Sequence, residues 1–539
     1  MRSLTVAAVL SAVALLAGCG GGESSSGGSP ASGKTVPAPE DEKGPVTVAL
    51  STDLDVLDPQ LFKNDVAIIA TASLNGTLLQ EKYENEDGML KATGDYVGNI
   101  AESWEVSDGG KTVTFKIKPG LKFQDGSPLT ADDWLYTWQR IFKGPGYISA
   151  LLPIIGIKAP EDVTAPDPQT LVIKRQFDSP MFMPFLASPC CFVVMSEESA
   201  EANKTKKDPW AAEWFTSNVN SSGPYVVDAW RKGQEMVLKP NESYPLRDYV
   251  LNSGVTFKIV PSAEDRISLV RGGAVDAAQN IPYRDLQALS NDPSVQVYKS
   301  PGRRITYVGF NLNTAPFDDV NLRRAVQEAI PYDTLLERVL YGFGQPAGSV
   351  ISTGMPGYKE VLPPTQDLEA AKASLAKSSY DGEKLTLAVR QSQPQDEASA
   401  VFIQDALREV GINVELQTLP DVRFQEQIGK KEIPFFIMDW QSLGDDGFYQ
   451  LTWVAQSESP INYTGFADPR VDKLIEQGVP ESDEARRASL VEEAQDIWAE
   501  QVPWAPLFQA DTVTLTSKGT AGVNEFYDPL QRPQFLFKR

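Results

Sequence analysis

A tight turn between two alternating runs, followed by a helix start, constrains this chain more than any other feature. From Ala101 to Ile141 the sequence reads AESWEVSDGGKTVTFKIKPGLKFQDGSPLTADDWLYTWQRI. Residues 104–107 and 113–117 alternate apolar and polar side chains about Asp108-Gly109-Gly110, whose glycines supply the positive φ that a tight hairpin needs. A two-stranded ribbon is predicted there. Asp125-Gly126-Ser127-Pro128 then breaks the chain, and Thr130 with Asp133 three residues on has the pattern of a capping box. The spacing predicts a helix through Trp138 to Ile141, so the unit is ribbon, turn and helix.

The same stretch resembles the signature of the extracytoplasmic solute-binding proteins of peptide, dipeptide and nickel ABC importers, family 5. Residues 101–105 stand in the place of that family's A-E-S-W-E, 110–115 in that of D-G-K-x-x-x-F, and 118–132 in that of K-x-G-V-K-F-x-D-G-x-P-x-T-A-x-D. These residues are mainly architectural and imply the family before any ligand. The resemblance implies an α/β fold, a two-lobed clamshell like that of periplasmic binding proteins (type II, cluster C) with an extra domain in the first lobe. It continues through Gly223-Pro224-Tyr225, through Pro301 to Asn311 (PGRRITYVGFN), and through Val502-Pro503-Trp504-Ala505-Pro506-Leu507, the last two resembling the family's crossings between lobes. The implied partition is 46–65, 196–300 and 506–539 for domain I, 66–195 for domain II and 301–505 for domain III.

Length and charge agree with several lobes outside nucleic-acid chemistry. A chain of 539 residues exceeds what one core organises, at roughly 100 to 200 residues per domain. Seventy-two acidic against 49 basic residues give a formal charge of −23, which argues against a nucleic-acid partner or an anionic membrane surface held by the folded part. At the start, Arg2 and an apolar run over 4–17 precede Leu16-Ala17-Gly18-Cys19, which matches the lipobox of bacterial lipoproteins. The run is too short to span a bilayer. The match implies removal of residues 1–18, lipid on the sulfur and amino group of Cys19, and a mature protein anchored outside the cytoplasmic membrane. An ordinary secretory signal is the alternative.

Residues 20–45 carry almost no large apolar side chain and are expected to form a flexible tether. Within them GSPASGKT at 28–35 matches a phosphate-cradling loop formally, but no apolar strand flanks it and Pro37 and Pro39 oppose a following helix. Residues 46–50 read as a strand and 66–79 as a helix. In the C-terminal half, 385–390, 398–410 and 412–416 read as strand, helix and strand, and 435–440 as a further strand. Cys190 and Cys191 would be the thiols left after lipidation, either two reduced core cysteines or a strained disulfide.

Candidate site residues fall in two places. Asp53 and Asp55 precede Leu57-Asp58-Pro59, an element that in the family lies beside the cleft; a solvated turn is the alternative, since the calcium-loop pattern is incomplete. Arg390 ends a strand where crevices open in α/β sheets. The resemblance implies for it the pairing of a ligand carboxylate, a task suited to the guanidinium fork; a solvated strand-end arginine is the other reading. Asp439, Trp440, Gln441 and Ser442 follow on the next strand, in the tract that in peptide-binding relatives pairs with the ligand backbone like an added strand. The aspartate those relatives use for the ligand ammonium is replaced by Leu443, leaving Asp445 or Asp446 to substitute, or simply to build a turn.

With no histidine in the chain, Ser-His-Asp, Cys-His and H-E-x-x-H chemistries are excluded. Nickel is disfavoured for the same reason. The expected protein is a receptor without cofactor, catalytic residues or metal, a monomer that closes on a peptide and presents it to ABC permease subunits. Oligosaccharides or other organic solutes, a signalling peptide receptor, and a carboxylate-based hydrolase are the alternatives.

Overall fold

Strands Ala101–Ser107 and Thr112–Ile117 pair antiparallel around Asp108, Gly109 and Gly110, all three with positive φ. Gly110 is required there, because a Cβ would lie 2.3 Å from the Asp178 carboxyl carbon. The helix Ala131–Lys143 follows: the Thr130 side chain accepts from the Asp132 amide, and the Asp133 carboxylate accepts from the Thr130 amide at 2.9 Å. Its Trp134 and Trp138 are fully buried, so the ribbon-turn-helix unit is anchored by the helix face its spacing predicts.

The structure, a computed structural model, describes residues 43–539 apart from 55, 63–64, 87, 147, 190–191, 443 and 526–530. Cys19, all but the last three tether residues with their 28–35 loop, Asp55, the Cys190-Cys191 pair and Leu443 therefore lie outside the described residues. No helix among the described residues is long and apolar enough to cross a membrane.

An eleven-stranded sheet joins the two ends of the molecule. It runs from Val414–Leu419 and Leu385–Arg390 through Phe435–Gln441 to two long strands, Val295–Phe310 and Trp504–Ser517, and on through Val46–Leu50 to Tyr225–Arg231. Strands of 16 and 14 residues are far longer than the usual five or six, and Val295–Phe310 reaches both main cores, through Tyr298 and Tyr307. One core is built on Val46, Phe115, Trp134, Trp138, Phe185 and Phe257; the other, from Tyr307 to Phe508, on Phe310, Leu387, Ile403, Phe435, Phe436 and Trp498. Two smaller sheets, Val523–Glu525 with Met89–Gly98 and Leu79–Glu86, and the four-stranded one holding the ribbon, lie on the side of the first core.

The long strands change register between the cores. Residues 295–300 pair with 512–517 and residues 304–309 with 504–510, with an irregularity between Ser300 and Arg304. Gly302 occupies that break because a Cβ would meet the Ala510 carbonyl oxygen at 2.2 Å. The buried Gln509 amide clamps it, donating to the Gly302 carbonyl at 2.5 Å and accepting from the Thr353 amide at 2.8 Å. Such a bulge, where the two long strands enter the second core, is a place where the sheet can bend.

Some boundaries differ from expectation. The helix expected over 66–79 is Asp65–Leu74, and Leu79 opens a strand instead. Asn75 ends it by donating back to the Thr71 carbonyl at 2.9 Å, and Gly76 is needed where a Cβ would sit 2.6 Å from Ile100. The strand expected over 412–416 is Val414–Leu419, and the preceding helix starts at Pro394, where proline at the first turn costs no hydrogen bond.

Candidate functional site

The two cores meet through one patch of aromatic side chains. Tyr449 packs into the first core while its helix, Gly447–Val454, belongs to the second; its ring stands edge-on to Phe185 at 5.8 Å. Trp440 and Trp453, 6.4 Å apart, pack against both cores. Gly444 lets Met181 of the first core approach, since a Cβ there would stand 2.1 Å from the Met181 methyl. The lobes are thus in contact beside Trp440, and the candidates at 439–446 line the seam.

The strand that carries Trp440 has an open edge at that seam. Phe435–Gln441 pairs with Val295–Phe310 along its whole length, from Phe310↔Phe435 to Arg304↔Gln441. On the other side its register with Leu385–Arg390 is the single pair Ala388↔Phe436. Asp439 and Trp440 therefore have no strand partner on that side among the described residues. Backbone amide and carbonyl groups at such an edge are a template for an added strand. Gln441 donates to the Ser442 carbonyl at 2.8 Å, and the buried Ser442 hydroxyl donates to the Gly444 carbonyl at 2.6 Å, so the chain turns immediately after the edge.

Beside that edge the side chains form a largely buried ionic chain. Arg390 donates through Nε and Nη2 to Asp396 at 3.1 and 2.7 Å, and through Nη2 to Asp439 as well. The other oxygen of Asp439 accepts from Arg304, which sits at the bulge. Burial opposes the ionised form of Asp439, but the two guanidiniums outweigh it and hold the carboxyl at about 2. Asp396 is pushed the other way by burial, because it has one guanidinium against it and the charge of Asp439 nearby. Burial pulls Arg390 down, and its two carboxylates more than restore it, so it stays charged.

The tandem aspartates divide. Asp445, part-exposed, pairs with Arg303 at 3.1 Å, and burial pushes its carboxyl up against that pull. Asp446 is buried; it caps Gly447–Val454 by accepting from the Tyr449 amide at 2.8 Å and is held in a fork by Arg487 at 2.9 Å twice. Its bonds explain the helix start without a solute. Asp53 is held inside the first lobe, accepting from its neighbour Leu54 at 2.8 Å and from the Gly233 amide at 2.5 Å. The structure thus brings Arg390, Asp439, Trp440, Gln441, Ser442 and Asp445 to one seam and gives Asp53 its bonds elsewhere.

Arg303, Arg304, Asp396 and Arg487 belong to the same neighbourhood and were not singled out by the sequence. A signal existed for the first two, the charged pair inside an otherwise apolar crossing; Asp396 had none beyond its place in a helix's first turn. Two cavities lie away from the seam: a polar one of about 20 Å3 beside Asn75, Thr77 and Asn99, and an open groove of about 530 Å3 beside Gln287 and Phe343. Neither contains a candidate residue. Among the described residues no group of acidic or cysteine side chains is arranged to hold a metal.

Comparison with known proteins agrees with this architecture. Residues 95–462 match the model of the bacterial extracellular solute-binding proteins, family 5 Middle. The probable D,D-dipeptide-binding periplasmic protein DdpA of Escherichia coli (strain K12) is 28% identical over 490 residues, covering 89% of this chain and 91% of that protein. The oligopeptide-binding protein OppA of Bacillus subtilis (strain 168) is 25% identical over 528 residues, with 92% of each covered. Among solved structures, the periplasmic binding protein DppA of Helicobacter pylori in complex with the peptide STSA superposes with a TM-score of 0.79 at 21% identity, covering 92% of this chain and 98% of that one. The fold is the two-lobed α/β clamshell of such binding proteins.

Proposed function

This chain belongs to the bacterial extracellular solute-binding proteins of family 5, and from that premise we propose that it captures peptides between its lobes and hands them to the permease of an ABC importer. The observation that carries the peptide reading is the open edge at Asp439 and Trp440, which ends where the two lobes touch. A peptide laid along it gains main-chain hydrogen bonds that do not depend on its side chains, while Trp440, Trp453 and Tyr449 cover it from the seam. Relatives whose names specify a dipeptide or an oligopeptide support the same class.

Transport follows from closure. A solute touching both lobes binds the shut form better than the open one, and only that difference drives closure about the Ser300/Arg304 bulge. Release requires the permease to favour the open form. Nothing in this cycle needs a catalytic group, and we take the protein to be a receptor rather than an enzyme. A lipid on Cys19 and the segment after it would keep the receptor at the outer face of the cytoplasmic membrane as a tethered monomer.

Mass spectrometry of solutes released on denaturing the purified chain tests the reading. Peptides recovered intact, together with a saturable rise in Tm when they are added back, are the expected result. Recovery of only non-peptide solutes, or of peptides cut on incubation, would refute it. Mass spectrometry of the mature N-terminus tests the anchor, with a diacylglyceryl-modified Cys19 expected.

A further inference from the structure

Near the seam, among the described residues, four guanidiniums already hold carboxylates of the chain itself. Arg303 pairs with Asp445, Arg304 and Arg390 share Asp439, Arg390 also takes Asp396, and Arg487 holds Asp446. Four cations face four anions. Arg390 is the one whose geometry decides something. A guanidinium can receive a carboxylate in a bidentate way through Nε with one Nη, or through both Nη atoms. Here Nε and Nη2 are occupied by Asp396, and Nη2 also donates to Asp439, so each of the two forks has lost a donor that a second carboxylate would need. The Asp439 side chain is 10% exposed and its two oxygens are both engaged, one by each arginine. Asp439 thus holds a donor that a second carboxylate at Arg390 would need.

Resting on the reading of the seam as the solute site, we propose that Asp439 is a built-in occupant of the Arg390 carboxylate position, and that the protein selects peptide-like solutes whose end at Arg390 is uncharged, such as a terminal amide, ester or ring. A free carboxylate arriving there adds a fifth anion to a balanced, buried set. It must either displace Asp439, leaving that carboxylate buried without its partners, or remain unpaired itself; both are costly where water is excluded. A neutral end meets no such penalty and still uses the open strand edge.

The test uses three probes on the purified chain: acetate at constant ionic strength, trialanine as the free acid, and trialanine amide. In the wild type, acetate is expected to give no saturable rise in Tm, and the amide to bind at least about tenfold more tightly than the acid, the scale of one unmet charged interaction. In Asp439→Ala the fork is vacated, acetate is expected to stabilise saturably, and adding Arg390→Gln should abolish that response; Asp439→Ser serves should the first variant not fold. An Arg390-dependent acetate response in the wild type, equal or tighter binding of the acid, or a folded Asp439 variant that gains no acetate response would each overturn the proposal. Failure of both trialanine forms to bind, with the acetate gain intact in the variant, would count against the peptide reading above while supporting the assignment of Asp439.

Discussion

Two buried arginine–aspartate arrangements in this molecule share their chemistry and differ in setting. Arg140 and Asp58 lie in the first lobe with both side chains 0% exposed; the fork is completed at 2.5 and 3.1 Å, Gln60 adds a bond at 2.8 Å, and the Phe215 ring lies 5.5 Å from the guanidinium. The chain through Arg304, Asp439, Arg390 and Asp396 has one end sealed, with Asp396 5% exposed, and the other end at the bulge, with Arg304 35% exposed. A sealed pair ties distant segments together and has nothing to exchange with. A graded one keeps a charged end where a solute or a moving lobe can alter it, so the position of the pair, not its strength, separates cement from site.

The largest expected effect sharpens the sealed half of that comparison. Asp58→Ala leaves Arg140 buried and unpaired and should cost about 3–5 kcal/mol in urea unfolding, whereas Asp58→Leu with Arg140→Met should cost much less. Equal losses in the single and the double variant would show that packing, not charge, is what the pair supplies. Next, Asp446→Ala removes a helix cap and the partner of Arg487 and should cost about 3 kcal/mol. Asp445→Ala, one residue away and part-exposed, should stay within about 1 kcal/mol. Comparable losses at 445 and 446 would erase the division between them.

Trp440→Ala addresses the seam itself. Removing a half-buried ring that packs on both cores should cost about 2 kcal/mol of stability and at least about tenfold in affinity for a peptide found to bind, measured by titration calorimetry. The smallest effect belongs to the exposed end of the ionic chain. Arg304→Ala should cost about 1 kcal/mol at neutral pH. Its clearer signature is in acid. Asp439 is held at about 2 in the fold against an unfolded value of about 3.9, so its contribution is present above pH of about 4 and is lost as pH falls toward 2. Without Arg304 the folded value rises toward the unfolded one, and that part of the acid sensitivity should shrink. Unfolding series from pH 5 downward on both proteins check the sign.

Much of the architecture was open to reading along the chain because its causes are local. Glycines at 109 and 110, the Thr130–Asp133 box, the alternation in 385–390 and the apolar run in 435–440 act within a few residues, and the corresponding elements form. The helix expected over 66–79 is the instructive exception. Its apolar run breaks after Leu74 at Asn75-Gly76-Thr77, and there Gly76 packs on Ile100 and Gly223 packs on Asn75. At the site, too, distant contacts decide. Arg390 and the tract 439–442 stood out by place and type, while the partners that fix their meaning meet them only in the fold: Arg304 lies 135 positions from Asp439, and Asp396 reaches Arg390 from the next helix.

The amino-acid order alone carried the resemblance that implies the class of protein, and its turns, caps and alternation, which obey short-range sterics, placed the local elements. It also excluded imidazole chemistry outright, since that depends only on which side chains exist. What tertiary structure alone decided is the electrostatic state of the seam. Whether a guanidinium awaits a guest or already holds an aspartate depends on distances across the chain, because ionic and hydrogen-bonding energies vary over an ångström while the residues that supply them are set far apart in sequence.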